Sequence, residues 1–383
     1  MVYNLSKKEM YDKVIQDVID GKTGEIHPDV YQAYSENLRK AVGGVLSSEQ
    51  YGDKYFDLQA QLQANVSRFA AYKAYHLTQQ LKQQREKWSD DDDLRKVAKA
   101  VLNTFNRYQA AEYNTATARA RTAKQWTDFN ADPISNELYP NLKWLPSRSA
   151  TPREEHIPFY GLVLPKTDPF WQQNQPGNLW NCKCDWEETD EPAATSSPKT
   201  ICAKGLEGNP AETGEVFTKE CTYFKQAGKS NKQRRQSDIR IANATRPLLE
   251  KDLKGKLLNK EALCNINGEK HSVMFIPKGI EEAAQSMQGT SSYWIKNEIL
   301  PNIPEYIQKG QFVRKVESDA THNTRKSTVR LKKNTDWFYY FKTTLPDGSE
   351  AYINIGHYKD SYTVPSRAGK YYFYTITKQL PSY

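Results

Sequence analysis

A chain of 383 residues is long for one hydrophobic core, so two domains are expected. Hydrophobic residues make up only 38%, yet the 8 Trp, 24 Tyr and 13 Phe bury enough area to support globular packing, and no run of about eighteen apolar residues exists to form a membrane-spanning helix. Residues 1–200 carry 25 Lys and Arg against 27 Asp and Glu, a balance of −2, whereas residues 201–383 carry 29 against 19, a balance of +10.

In chain order, the opening MVYNLSKKEMYDKVIQDVID has no apolar run of a leader and predicts a helix over 6–19, with a second over 28–46 after His27-Pro28. Residues 49–88 predict a long amphipathic helix, with Tyr55, Leu58, Leu62, Val66, Ala70, Ala74, Leu77 and Leu81 at three- and four-residue steps. Ser89 and Asp90–Asp93 supply an N-cap and an acidic first turn for the next helix, through Leu94, Val97, Val101, Phe105 and Tyr108 and on toward Trp126. The short turn between the two predicts an antiparallel hairpin. Residues 142–186 are loop-rich. Residues 191–245, opened by a Pro/Ser/Thr stretch and closed by NKQRRQ, read as a polar linker with little order. A helical stretch over 279–309 precedes strands at 311–317, 327–332, 337–344, 351–358 and 371–378, and Leu345-Pro-Asp-Gly348 is the turn of a hairpin. The expected organisation is a mostly α-helical domain over 1–190 with a loop-rich Trp/Cys segment, the linker, and a basic α+β domain with an antiparallel sheet over 246–383.

The segment Leu142–Trp186 holds four tryptophans, a histidine and a Cys-x-Cys pair. Its order is Arg153 and His156, then Gly161, Val163 and Pro165, then Asp168-Pro-Phe-Trp171, then Pro176, then Cys182 and Cys184. This order resembles the minor head proteins of Mu-like bacteriophages, the head morphogenesis family, over roughly residues 50–190. The resemblance implies a structural role at the portal or inside the forming head, portal and capsid proteins as partners, and a place in the virion or the host cytoplasm. It also implies that a C-terminal effector domain can ride with the particle. Five cysteines, odd in number and unevenly placed, read as reduced thiols of a cytoplasmic setting. His156, Cys182 and Cys184 are three soft ligands that a zinc ion would accept, completed by Cys202 or Cys221. A one-residue gap strains two thiolates around one metal, so the reading preferred here is buried small side chains, with no metal or cofactor expected. Asp168 is expected to cap a turn, and Trp171 to lie in the core.

The basic half contains no HExxH, P-loop or GxGxxG. GEKHSVMFIPKG at 268–279, then helices, then WFYYFK, YINIGHYK and KYYFYTITK resemble phage-associated barnase–EndoU–colicin–RelE-like nucleases, helices followed by a four-stranded antiparallel sheet. That resemblance implies metal-independent RNA cleavage, and with it an immunity protein as a further partner. Such cleavage needs an acid, a base and a cation facing the phosphate. His271 is the first candidate and His357 the second. Lys342 and Lys359 would face the phosphate, and Tyr374 and Thr375 would orient substrate. Lys270, Arg325, Lys326 and Arg330 would contact phosphates, and tyrosines on a sheet face would stack bases. His322, in the same polar loop, is expected to be exposed. The alternatives are a domain that binds nucleic acid, RNA or packaged DNA, without cleavage, or a different effector such as an ADP-ribosyltransferase, for which no Arg…Ser-Thr-Ser…Glu-x-Glu series is visible.

Overall fold

The computed structural model describes residues 7–48, 50–226, 228, 230–319 and 325–381; His322 lies outside them. It divides into two compact units, Met1–Ser48 with Gln61–Ser237, and Glu49–Ala60 with Asp238–Tyr383.

The first unit is led by helices α1 (Lys7–Ile19), α2 (Pro28–Leu46), α3 (Phe56–Lys87), α4 (Asp91–Arg107) and α5 (Gln109–Ala131). The apolar stripe of α3 does what its spacing predicts: Leu62, Val66, Ala70, Ala74, Leu77 and Leu81 are all buried. Asp90 caps α4, its carboxylate accepting from the backbone N–H of Asp92 and Asp93 at 2.9 Å each. The continuous helix expected toward Trp126 breaks at Tyr108, the boundary between α4 and α5. Helices α3 and α4, expected as an antiparallel hairpin, are joined by the short turn over 88–90. Helix α2 lies along α5 and α1 along α4, while a cavity of about 1150 Å³ is lined from both α3 and α4, by His76, Gln80, Val97 and Val101 among others.

Lys73 and Glu112 line the same cavity. Their side chains are 0% and 5% exposed, and Lys73 Nζ lies 2.6 Å from Glu112 Oε1, with the Tyr34 hydroxyl donating to the same carboxylate. Burial pushes Glu112 up and Lys73 down, so each charge persists only because the other is present.

After α6 (Pro133–Leu138), the segment 141–189 forms a small antiparallel sheet of β1 (Asn141–Leu145), β2 (Val163–Pro165) and β3 (Asp185–Thr189), in the order β2-β1-β3, with a single-turn helix α7 (Phe170–Gln173). The linker expected over 191–245 is not one. Residues 191–237 fold onto the first unit: Ala194 N–H donates to Val163 O, Ile201 N–H to Asn174 Oδ1, and Asn65 pairs in both directions with the backbone of Phe217. Helices α8 (Pro210–Thr213) and α9 (Thr222–Gln226) follow. Arg119 of α5, 1% exposed, donates to the carbonyls of Leu206, Gly208 and Glu215, which is why a loop this polar is ordered. Helix α10 (Asn231–Leu257) then runs through the rest of the expected linker.

The second unit is α+β. Strands β4 (Glu261–Ile266) and β5 (Glu269–Phe275) form a hairpin, and α11 (Pro277–Gln285), α12 (Ser292–Ile299) and α13 (Ile303–Lys309) replace the single helical stretch expected there. Strand β6 (Gln311–Glu317) precedes α14 (Lys326–Lys333), and then β7 (Thr335–Thr344), β8 (Glu350–Tyr358) and β9 (Tyr371–Thr377) complete a six-stranded sheet, β4-β5-β9-β8-β7-β6. Four of its pairings are antiparallel, and β5 with β9 is parallel. Residues 327–332, expected as a strand, are helical: Thr328 is buried and Leu331 packs on the Phe338, Tyr340 and Tyr374 cluster three residues on. One face of the sheet packs Phe341, Ile353, Ile355 and Phe373 with Ile280, Ile299 and Ile303; the other face carries Phe338, Tyr340, Tyr372 and Tyr374. Gly279 lets α11 sit directly on β9, since a Cβ there would come 1.9 Å from Phe373 O.

Two outcomes test this reading of the first unit. Lys73→Met is expected to cost on the order of 3–5 kcal/mol in denaturant unfolding, by stranding Glu112, and Lys73→Met/Glu112→Gln to recover most of it; a double variant no better than the single would refute it. His27, 2% exposed, is held below the usual histidine value by burial, against the pull of Asp17 at 3.1 Å, and His76, bonded to Tyr223 O at 2.9 Å, is lowered by burial too. A depressed histidine takes its proton first in the unfolded chain, so its contribution is complete above 6.5 and is lost as pH falls below that value. Tryptophan fluorescence, six of whose eight reporters lie in the first unit, is expected to show a Tm that drops from about pH 6.5 to 5, and drops less in His27→Gln. Parallel slopes would count against it.

Candidate functional site

In the first unit, the sequence-singled residues converge. Trp144 on β1, Trp171 on α7 and Trp186 on β3 are each at most 2% exposed, and they pack with Phe159, Phe170, Cys182 and Cys184 into one core. Trp171 donates to Pro165 O at 2.9 Å and Trp186 to Gln125 Oε1 at 3.1 Å. Asp168 caps the turn as expected, accepting from Phe170 N–H at 2.8 Å. Arg153 donates to Trp180 O at 2.7 Å, tying the loop before His156 to the loop before Cys182. His156 sits in a short 3₁₀ helix, Glu154–Phe159, fully buried, its ring edge-on to Trp144 at 5.0 Å. Its Nδ1 lies 3.4 Å from Cys182 Sγ and 3.6 Å from Cys184 Sγ, and all three ligand atoms fall within 4.8 Å of one another. The one-residue gap, expected to strain two thiolates around one metal, leaves both sulfurs beside the same imidazole nitrogen.

Electrostatics separates the two thiols. Cys182 is held down to about 4, chiefly by Cys184 and His156 beside it, while Cys184 is pushed up by its neighbour Cys182 and by burial. Cys202 and Cys221, considered as fourth ligands, bond elsewhere, Cys202 Sγ to Ala203 O and Cys221 Sγ to Gly205 O, both at 3.4 Å.

In the second unit, the two candidate histidines share a neighbour. His271 on β5 and His357 on β8 lie against the ring of Tyr371 at 4.7 and 4.6 Å. Trp337, His357 and Tyr371 are successive cross-strand partners on β7, β8 and β9, and Lys315 of β6 holds its Nζ 4.1 Å over the Trp337 ring. The result is a partly exposed row of four rings across β7, β8, β9 and β5, with the Lys315 cation of β6 at one end. Burial and Tyr339 raise the Tyr371 phenol. His271 keeps 26% of its side chain exposed, with Glu269 at 3.8 Å, beyond hydrogen-bonding distance. His357 is tied on both sides, Nδ1 to Asp336 Oδ1 at 2.9 Å and Nε2 to Gly369 O at 3.2 Å.

The other catalytic candidates do not join this row. Lys342 alternates onto the opposite face with Phe338 and Tyr340, is ion-paired to Glu350, and lies five residues along β7 from Trp337, about 17 Å away. Tyr374 belongs to that opposite face too, 5.1 Å from Phe338, and Thr375 is buried opposite Asn354 in the ladder. The five-residue catalytic set is therefore split between two faces of one sheet. Among the phosphate candidates, Arg325, Lys326 and Arg330 are exposed together at the start and outer side of α14, with Arg325 donating to Gln285 Oε1 at 2.7 Å. Exposed Lys359 meets the end of that helix, its N–H donating to Asn334 O. Exposed Lys270 stands beside His271 on β5.

Tyr371, Trp337, Asp336 and Lys315 were not singled out from sequence. Strand alternation would have found the first two, because Trp337 and Tyr371 lie near the starts of strands whose first odd-numbered residues face the same side. The Asp336–His357 pair depends on strand register, and nothing local to either residue announces it. No family model, no curated protein and no solved structure matches the chain.

Proposed function

We propose that the chain is a minor head protein of a Mu-like phage whose C-terminal unit binds single-stranded nucleic acid. The first half of this reading rests on the ordered motif from Arg153 to Cys184, whose members gather around one indole core, as a motif kept for architecture would require. Fully buried histidine and thiols leave no nucleophile open to a substrate there, so a structural role at the portal or head interior fits better than catalysis.

The observation that carries the second half is the row Trp337, His357, Tyr371 and His271, with Lys315 at its end. Half-exposed rings at cross-strand spacing give successive bases a surface to stack on, and stacking is sequence-tolerant because every base has a π face. Lys315, over the Trp337 ring at the end of the row, supplies a phosphate contact, whereas Lys270, of opposite parity to His271, and α14, which packs on the other face of the sheet, do not adjoin the row. The excess of positive charge in residues 201–383 agrees with such a partner.

Metal-independent RNA cleavage is the second reading. It is favoured by His271, which offers an accessible imidazole beside a Tyr371 phenol and a second histidine oriented by Asp336. It is weakened by His357, both of whose nitrogens are occupied, and by the distance to Lys342. Cleavage here would rest on His271 alone, with phosphate stabilisation from lysines other than Lys342.

One experiment separates the two. The full chain is mixed with labelled single-stranded RNA and DNA in EDTA, and both binding and fragment formation are followed. Binding that weakens steeply with salt, and weakens roughly 5- to 150-fold in Trp337→Ala, as expected for loss of about 1–3 kcal/mol of stacking, supports the binding reading. RNA fragments that disappear in His271→Ala promote the nuclease reading. Absence of both binding and cleavage refutes any nucleic-acid role for this unit, and failure of the chain to co-sediment with heads assembled from its portal and capsid proteins refutes the head role.

A further inference from the structure

We propose that His156, Cys182 and Cys184 hold a zinc ion through Nδ1 and the two sulfurs. An imidazole nitrogen has one in-plane lone pair or one N–H, so it satisfies one hydrogen-bonding partner. Here two sulfurs crowd the same nitrogen, at 3.4 and 3.6 Å. A hydrogen-bonding scheme explains one of these contacts and leaves the other without cause. A metal explains both. With zinc bonded to sulfur at about 2.3 Å and to nitrogen at about 2.0–2.1 Å, the nitrogen-to-sulfur edge of a tetrahedron is about 3.5 Å, which falls between the two separations.

Charge points the same way. His156, Cys182 and Cys184 are 0%, 3% and 4% exposed, inside a shell of Trp144, Phe159 and Phe170. Thiolates buried there without a cation would be unpaired charge in an apolar core, whereas two thiolates and one divalent zinc are neutral together. The surroundings are built for anionic sulfur. The backbone N–H of Cys184 donates to Cys182 Sγ at 3.4 Å. Trp144 Nε1 and the Tyr160 hydroxyl, both buried and without a hydrogen-bond acceptor, face Cys184. A neutral thiol is a weak acceptor and leaves those two donors nearly unsatisfied; a zinc-bound thiolate accepts from both, as outer-shell donors commonly do.

The soft donor set selects zinc over magnesium or calcium, which take oxygen ligands. Three ligands come from the described residues, which leaves the fourth position of the tetrahedron to a further donor. Bound there, the ion joins the 3₁₀ turn between β1 and β2 to the loop that leads into β3. It cross-links a segment that little backbone pairing holds together.

The test uses the full chain purified without chelator. The expected result is one zinc per chain by elemental analysis, much less than one in Cys182→Ser and Cys184→Ser, and a Tm that falls on chelator dialysis and returns with zinc. Because the serine variants can fail to fold, the wild-type chain is also loaded with cobalt(II), which is expected to give a thiolate-to-cobalt charge-transfer band and tetrahedral d–d absorption. Metal-free protein whose Tm is indifferent to zinc and chelator, and which gives no such band, overturns the proposal. So does a Cys182–Cys184 disulfide found by mass spectrometry of the freshly purified chain.

Discussion

Three indoles carry the middle of this molecule. Between Asn141 and Thr189, backbone ladders are only three to five residues long, too short to order nearly fifty residues by themselves. Trp144, Trp171 and Trp186 supply what the ladders lack, each burying a large apolar area. Two of the three ring N–H groups find oxygen acceptors, and the third faces sulfur. Every other feature of the segment depends on that packing: the turn capped by Asp168, the carbonyl held by Arg153, and the approach of His156 to the two cysteines. Replacing one indole would open a void and loosen these together, because they share one core rather than forming separate contacts.

Much of the first unit was legible because its signals are local. The stripe along α3 and the acidic cap at Asp90 need only their own neighbours in sequence. The stretch 191–237 is illegible for the opposite reason. Its composition is that of a linker, and its order comes from Arg119 and Asn65, whose partners lie from 87 to 152 positions away. Leu206, Val216 and Phe217, all buried, were the visible warning that part of this stretch had a core to join. Composition measures the average of a segment, whereas burial is decided by its few apolar residues and by whether a distant donor satisfies its carbonyls.

In the second unit, the sequence carries a hairpin signal at Asn265–Glu269. Asn267-Gly268 sits between two alternating runs, with φ of 54° and 96°, the left-handed conformations that a two-residue hairpin turn requires. Reading it as a hairpin would have placed His271 on the second strand of a pair. The helix at 326–333 reads as a strand from sequence because six residues of polar and apolar alternation fit either period, and only the inward packing of buried Thr328 and partly buried Leu331, three apart, decides between them. The parallel pairing of β5 with β9 joins residues almost a hundred positions apart, and no local pattern encodes that.

The division of the candidate catalytic residues follows from strand parity, which the sequence did contain. On a regular strand, residues an odd number of positions apart face opposite sides. Tyr371 and Tyr374 are three apart on β9, and Trp337 and Lys342 are five apart on β7, so neither pair could share a face unless a bulge intervened. A bulge does interrupt β8 against β9, but only beyond the Ile355–Phe373 pair, too late to bring Tyr374 round to Tyr371. Whatever chemistry or binding belongs to His271 and His357 must therefore be completed by residues of their own parity and their own end of the sheet, which are Tyr371, Trp337 and Lys315. The opposite face, with Tyr374, Tyr340 and Tyr372 buried under aromatic packing, is a core. Tyrosine content alone made both faces look alike as binding surfaces, and only alternation separates the partly exposed Trp337 and Tyr371 end of the helix-packed face from the buried aromatics of the other.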